Sequence, residues 1–159
     1  MSIKLFVDMD GVLAVWNPTA TLNDTHQPGY FINRDIEVCV KELILRLRDE
    51  KIDVSINSAA YDFVAESEKN IWINNYVDAT IERIFVPYGS NKADYVIGTD
   101  NILIDDHTDN LLKWLASGKG KAIKFLNGIN GKSGRWTGPT ISKNMTVDEM
   151  IAVIKEVAA

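Results

Sequence analysis

Cysteine occurs once, at Cys39, proline four times, and histidine twice, at His26 and His107. A single thiol forms no internal disulfide and lacks the second sulfur of a thiolate zinc site. The chain is therefore expected to rely on its core alone and to suit a reducing, cytoplasmic setting. No run of about 18 or more apolar residues occurs, which argues against a membrane-spanning helix. The first residues pass straight into a strand-like segment, which argues against a signal peptide. Basic residues are also in short supply: 17 Lys and Arg face 22 Asp and Glu, a formal net charge of −5. Duplex nucleic acid is disfavoured as a partner, because that binding sets many lysines and arginines against phosphates. A small anionic ligand stays open, provided that local positive charge or a metal receives it.

The chain has 159 residues, of which 46% are hydrophobic and 25% charged. That length is expected to form one domain, residues 1–159, burying roughly 68–70% of the surface that the unfolded chain exposes. Apolar runs of strand length recur at 3–7, 52–56, 81–86, 102–104 and 122–126. Most are continuous instead of alternating, as in parallel strands buried on both faces. Helix-period segments lie between them. In residues 33–50 the spacing of Ile36, Val40, Leu43 and Leu47 makes one apolar stripe, with Lys41, Glu42, Arg46 and Arg48 on the other side. Residues 61–77 and 108–116 read similarly, and Thr146 with Glu149 forms a capping box that opens a final helix through Val157. Alternating strands and helices predict a Rossmann-like three-layer α/β fold around a parallel sheet.

Two stretches interrupt the alternation. Residues 14–33, rich in Asn, Thr, Pro and Gly, are long for a strand-to-helix connection and are read as a functional insertion. Residues 128–144 contain four glycines, Lys132, Arg135 and Trp136, and are read as irregular.

Ligands of open α/β sheets bind outside the carboxyl ends of the strands, so those ends carry the functional information. The first run ends in Asp8-Met9-Asp10-Gly11, where residues two apart, about 6.6 Å along an extended chain, project to one face. The second ends at Asn57 and Ser58, which brings a hydroxyl beside that site. The run 102–104 ends in Asp105 and Asp106. Carboxylates gathered this closely raise one another's pKa unless they are neutralised. A hard cation does this, and Mg²⁺ prefers one or two carboxylates plus waters and a substrate phosphate. Lys92, after Gly89-Ser90-Asn91, adds a charge that could balance a phosphoryl group.

The segments Val7-Asp8-Met9-Asp10-Gly11-Val12-Leu13, Ser55-Ile56-Asn57-Ser58-Ala59-Ala60, Lys92 and Leu103-Ile104-Asp105-Asp106 resemble the four motifs of the haloacid dehalogenase (HAD) superfamily of phosphotransferases. The resemblance implies a HAD-like fold with Asp8 as nucleophile and Asp10 as general acid and base. It also implies Mg²⁺ held by Asp8, the Asp10 carbonyl and Asp106, with Asp105 the partner of Lys92 and a further candidate ligand. Ser58 would hydrogen-bond the phosphate, with Asn57 as the alternative polar residue. Asp10-Gly11-Val12-Leu13-Ala14, Pro28-Gly29-Tyr30-Phe31 and Ile104-Asp105-Asp106-His107 are most similar to the 5′(3′)-deoxyribonucleotidase group. This implies that the insertion 14–33 is a short, reduced cap, and that Tyr30, Phe31 and Trp16 lie near a base pocket.

The expected function is thus a Mg²⁺-dependent phosphomonoesterase working through an aspartyl-phosphate, acting on (deoxy)ribonucleoside monophosphates. Rival readings are a HAD phosphatase for sugar phosphates or polynucleotide phosphate ends, a non-catalytic HAD-fold binding protein, and a receiver-type signalling domain. The last is disfavoured because its phosphoacceptor ends a later strand, whereas 81–86 here leads into Pro87 and Tyr88. Neither His26 nor His107 is required by this chemistry.

Overall fold

Six parallel strands form one sheet in a computed structural model that describes residues 3–159. In chain order they are β1 (Lys4–Val7), β2 (Asp53–Ala60), β3 (Glu82–Pro87), β4 (Asn101–Asp105), β5 (Gly120–Leu126) and β6 (Thr140–Ser142). Their spatial order is β3-β2-β1-β4-β5-β6. The chain leaves β1 for one edge, then crosses back to build the other, so the topology reverses beside β1. That is where an open α/β sheet forms its ligand crevice. The helices are α1 (Leu22–Thr25), α2 (Val38–Asp49), α3 (Phe63–Tyr76), α4 (Thr108–Ala116) and α5 (Val147–Ala158), with one 3₁₀ turn at Lys92–Tyr95.

The continuous apolar runs are explained by two buried sheet faces. Leu5, Val7, Ile56, Ile104, Ile123 and Phe125 pack on one side against Leu43, Ile44 and Leu47 of α2, Trp72 and Ile73 of α3, and Met150 and Ile154 of α5. Phe6, Leu103 and Ala122 pack on the other against Leu111 and Trp114 of α4 and against Ala93. This is the expected three-layer α/β architecture. The box at Thr146 and Glu149 caps α5 reciprocally, and Asp62 caps α3 by accepting from the Ala65 amide at 2.9 Å. Cys39 is half-buried on α2, and burial together with Glu37 pushes its thiol up to about 11. No helix among the described residues is long and apolar enough to cross a membrane.

Three boundaries differ from the sequence expectation. The helix expected over 33–50 begins only at Val38, because the preceding residues tie down the insertion. Val15 donates to the Asp35 carbonyl and Glu37 to the Leu13 carbonyl, both at 2.8 Å, and Ala14 bridges Ile36. The second strand runs on to Ala60, since it pairs with β3 from Ser55 to Ala60. The segment 128–144 is not wholly irregular: three of its residues add β6 beside β5, a strand too short to show a period. Within 14–33, Thr21 and Asp24 form a capping box on the single turn α1. Glu68 of α3 accepts from the amides of Gly29, Phe31 and Ile32, fixing the end of the insertion against α3.

Candidate active site

Asp8 continues the β1 ladder by one residue, its amide donating to the Ile104 carbonyl at 2.9 Å. The chain then turns tightly, with the amides of Leu13 and Ala14 both donating to the Met9 carbonyl, and Gly11 adopting φ +78°. A β-carbon at Gly11 would collide with the Asp106 carboxylate, so glycine is required twice over, for conformation and for space. Asp105 closes β4 and Asp106 follows it. Carboxylate oxygens of Asp8, Asp105 and Asp106 lie within 4.8 Å of one another, although Asp8 is almost a hundred positions from the other two in the chain.

Lys92 is buried from the 3₁₀ turn into this cluster, donating to Asp8 Oδ1 at 2.8 Å and to Asp105 Oδ2 at 2.7 Å. Burial alone would lower its pKa, but Asp105 and Asp8 outweigh that and raise it above the ordinary lysine value. The fully buried Asp105 has both oxygens occupied: Oδ1 accepts from the His107 amide, and Oδ2 also accepts from Asn110. The Asp8 carboxyl is pushed up to about 7, first by burial and then by Asp105 and Asp10, with Lys92 opposing. Asp106 is raised well above the usual carboxylate range by burial, Asp8 and Asp105.

A second lysine, which sequence reasoning did not single out, serves Asp10. Lys69 of α3 is buried and donates to Asp10 Oδ2 at 2.5 Å, to Ser58 Oγ at 3.0 Å and to the Ala59 carbonyl at 2.5 Å. Its ammonium also lies 4.4 Å from the Phe31 ring centroid. With all four carboxylates ionised, as cation binding requires, the two ammonium groups leave two negative charges, the charge that one divalent cation neutralises. The donor set is all oxygen, so it fits a hard cation such as Mg²⁺ in charge and chemistry. Among the described residues, Asp106 is the one of the four carboxylates without an ammonium partner.

The groups converge on a cavity of about 420 Å³ whose walls include Asp8, Asp10, Lys69, Lys92, Asp106 and His107. Trp16 and Phe31 of the insertion line it, as do Tyr61 and Tyr88, which follow β2 and β3 and were not anticipated. The Tyr61 and Tyr88 rings are 4.4 Å apart. Tyr30 is not on the wall: it stacks edge-on to Phe31, its ring is covered by Arg34 at 4.2 Å, and its hydroxyl is buried without a partner among the described residues. Ser58 is fully buried behind Lys69, to which its hydroxyl is committed. Asn57 is fully buried too, and its side-chain amide has no hydrogen-bond partner among the described residues.

Two further asparagines support the site. Asn127, just beyond β5, donates to the Gly11 carbonyl at 2.9 Å and reaches Asp106 Oδ2 at 3.4 Å. Asn130 donates to the carbonyls of Asp106 and Phe125. For Asn127 the signal was available, since it directly follows β5, the strand beside the one that ends in the acids.

No protein-family model matches the chain, and no curated protein is similar to it in sequence. Solved structures are similar in fold. The crystal structure of D,D-heptose 1,7-bisphosphate phosphatase from Burkholderia thailandensis superimposes with a TM-score of 0.65 at 14% identity, over 97% of this chain and 99% of that one. The corresponding phosphatase of B. bronchiseptica, in complex with magnesium and phosphate, gives 0.64 at 12% identity, over 98% and 99%. The likeness is one of fold, the HAD-like Rossmann-type arrangement that the sequence motifs led us to expect.

Proposed function

We propose that the chain is a Mg²⁺-dependent phosphomonoester hydrolase of the HAD type. The observation that carries this is the convergence of Asp8, Asp10, Lys92 and Asp106 on one cavity at the carboxyl edge of a parallel sheet, with the buried Asp105 holding Lys92 from behind. The fold shared with two phosphatases supports it, one of them holding magnesium and phosphate.

In this reading Asp8 attacks phosphorus and the ester P–O bond breaks. Asp10 gives its proton to the departing alkoxide. Water then attacks the aspartyl-phosphate, its proton passes to Asp10, the bond from phosphorus to Asp8 breaks, and inorganic phosphate leaves. Each half-reaction returns Asp10 to the form that the other needs. Asp8 and Asp106 would hold Mg²⁺ with the Asp10 carbonyl, while Asp105 orients Lys92. The ion, when bound, supplies charge neutralisation for the phosphoryl oxygens and the attacking carboxylate. Lys92 keeps Asp8 in place and adds positive charge where the phosphoryl group sits.

The substrate we infer is a nucleoside monophosphate. Trp16, Phe31, Tyr61 and Tyr88 give the cavity aromatic faces suited to stacking on a planar base, and the volume accommodates a small ligand. The insertion 14–33 acts as a small cap by contributing two of those rings. A sugar phosphate is the second reading, favoured by what the structurally similar phosphatases are named for. Phosphate release measured over nucleoside monophosphates and sugar phosphates, with and without EDTA, tests both. Nucleotides should lead in kcat/KM by about tenfold or more, and EDTA should abolish turnover. A lead for sugar phosphates would replace the nucleotide assignment, and turnover of neither class would end the hydrolase reading.

A further inference from the structure

In α3 the buried positions are Ala65, Lys69, Trp72 and Ile73, so a lysine occupies the apolar stripe of the helix. Burying an ammonium is costly unless it is paired and hydrogen-bonded. Lys69 meets that demand with three acceptors: Ser58 Oγ and the Ala59 carbonyl on β2, and Asp10 Oδ2 on the first-motif loop. The Phe31 ring covers it from the insertion. Two of the acceptors belong to a central strand and do not move with the loop. The ammonium is therefore a fixed post, and Asp10 is the one partner that offers it a carboxylate, which is partly open to the cavity.

We propose that Lys69 is the positioning residue for Asp10. It holds Oδ2, so the other carboxylate oxygen, Oδ1, is the one presented to the proton of the leaving group and of the water. The inference rests on the phosphomonoesterase reading. Lys69 itself neither accepts nor donates the transferred proton, and the phosphoryl group belongs to Lys92 and the cation. Its loss should slow the steps that need Asp10 and spare attack by Asp8, since misplacement by about 1 Å of a reacting group can cost about 10²-fold.

The test uses the full chain with magnesium, and compares an alkyl phosphate, whose alcohol needs a proton to leave, with p-nitrophenyl phosphate, whose phenolate does not. In Lys69→Met, single-turnover release of the alcohol should fall about 10²-fold, while the first equivalent of p-nitrophenolate should appear within about threefold of the wild-type rate. Because the water step is slowed as well, p-nitrophenolate should emerge as a burst and the aspartyl-phosphate should be trapped by acid quench. KM should not rise, and for p-nitrophenyl phosphate it should fall as the intermediate accumulates. Lys69→Arg should recover part of the alkyl activity, and Lys69→Met should add no more than about threefold in an Asp10→Asn background. Equal losses with both leaving groups, a raised KM, multiplying losses in the double variant, or unchanged alkyl kinetics would each overturn the proposal. Should Lys69→Met not fold, Ser58→Ala removes one anchor of the post and must show the same leaving-group dependence in smaller measure; equal loss there is equally fatal. A wild-type protein that cleaves no ester removes the parent reading and this one together, whereas an active wild type with indifferent Lys69 variants removes this one alone.

Discussion

The Asp106 carboxylate lies directly over the Cα of Gly11, in the space that any side chain at position 11 would fill. The loop carrying Asp8 and Asp10 and the end of β4 therefore fit together only through a glycine that also takes φ +78°. Gly11→Ala should cost about 1–2 kcal/mol for the left-handed backbone, and more if Asp106 cannot move aside. It should also displace a proposed cation ligand. Thermal melting with and without Mg²⁺ checks both effects: a lowered melting temperature together with a lost Mg²⁺-induced rise is expected, and a variant that keeps the full rise would contradict the assigned ligand.

Asp8 and Lys92 respond to substitution in opposite directions. Asp8 is a buried carboxylate whose ionised form is disfavoured, so Asp8→Asn should leave the metal-free protein as stable as before or more so, while turnover falls by orders of magnitude. Lys92→Met strands Asp8 and Asp105 without their shared ammonium and should cost about 3–5 kcal/mol. Denaturant melts of the two variants beside phosphate-release assays separate the contributions. Turnover retained in Asp8→Asn would exclude the covalent route.

Proton linkage gives the metal-free protein an unusual pH profile. The Asp8 carboxyl stands near 7 in the folded state against 3.8 ordinarily, and Asp106 is raised as well. Between those values the native state binds more protons than the unfolded chain, so stability is greatest at the acidic end of the window and falls as pH climbs from about 4 to about 7. The raised pKa of Lys92 acts only at far higher pH and does not disturb this window. A bound divalent cation competes with those protons, so the stabilisation it brings should grow as pH rises through the same interval. Melting temperatures in EDTA and in excess MgCl₂ across that range test the sign. A metal-free protein that gains stability steadily from pH 4 to pH 7 would show that Asp8 and Asp106 are not raised.

Strands β1 and β4 were legible because burial on both faces leaves the unbroken apolar runs 5–7 and 102–104, and β3 and β5 because their apolar residues stay dense although Glu82, Arg83 and Lys124 interrupt them. The acids at their ends were legible because topology brings every strand's carboxyl end to one edge. Lys69 was hidden because the period of α3 marks it as an inward position while its residue type suggests a solvated one, and nothing local states which wins. Tyr61 and Tyr88 were missed because each follows a strand by one residue, where sequence gives no direction for the ring. Tyr30 and Phe31 show the converse limit. Adjacent aromatics in one loop need not share a wall even when their rings touch, as these do at 5.0 Å, and Glu68 accepting from the backbone around them fixes Phe31 toward the cavity.

Asn127 links the two halves of the site that have no covalent connection nearby. One amide nitrogen donates to the Gly11 carbonyl and reaches Asp106 Oδ2, so it fixes the turn after Asp10 and the carboxylate that lacks an ammonium partner. Asn127→Ala removes both contacts while leaving the proposed cation ligands in place. Outer residues of this kind orient ligands, and their loss commonly costs about 10–100-fold in metal affinity. Titration calorimetry of Mg²⁺ into the variant should show a weakening of that order. Asn127→Asp, which keeps the shape but adds a carboxylate beside Asp106, should lower the melting temperature of the metal-free protein and restore it when Mg²⁺ is added. Unchanged Mg²⁺ affinity in Asn127→Ala would mean that Asp106 is held well enough by the Asn130 bond to its own carbonyl.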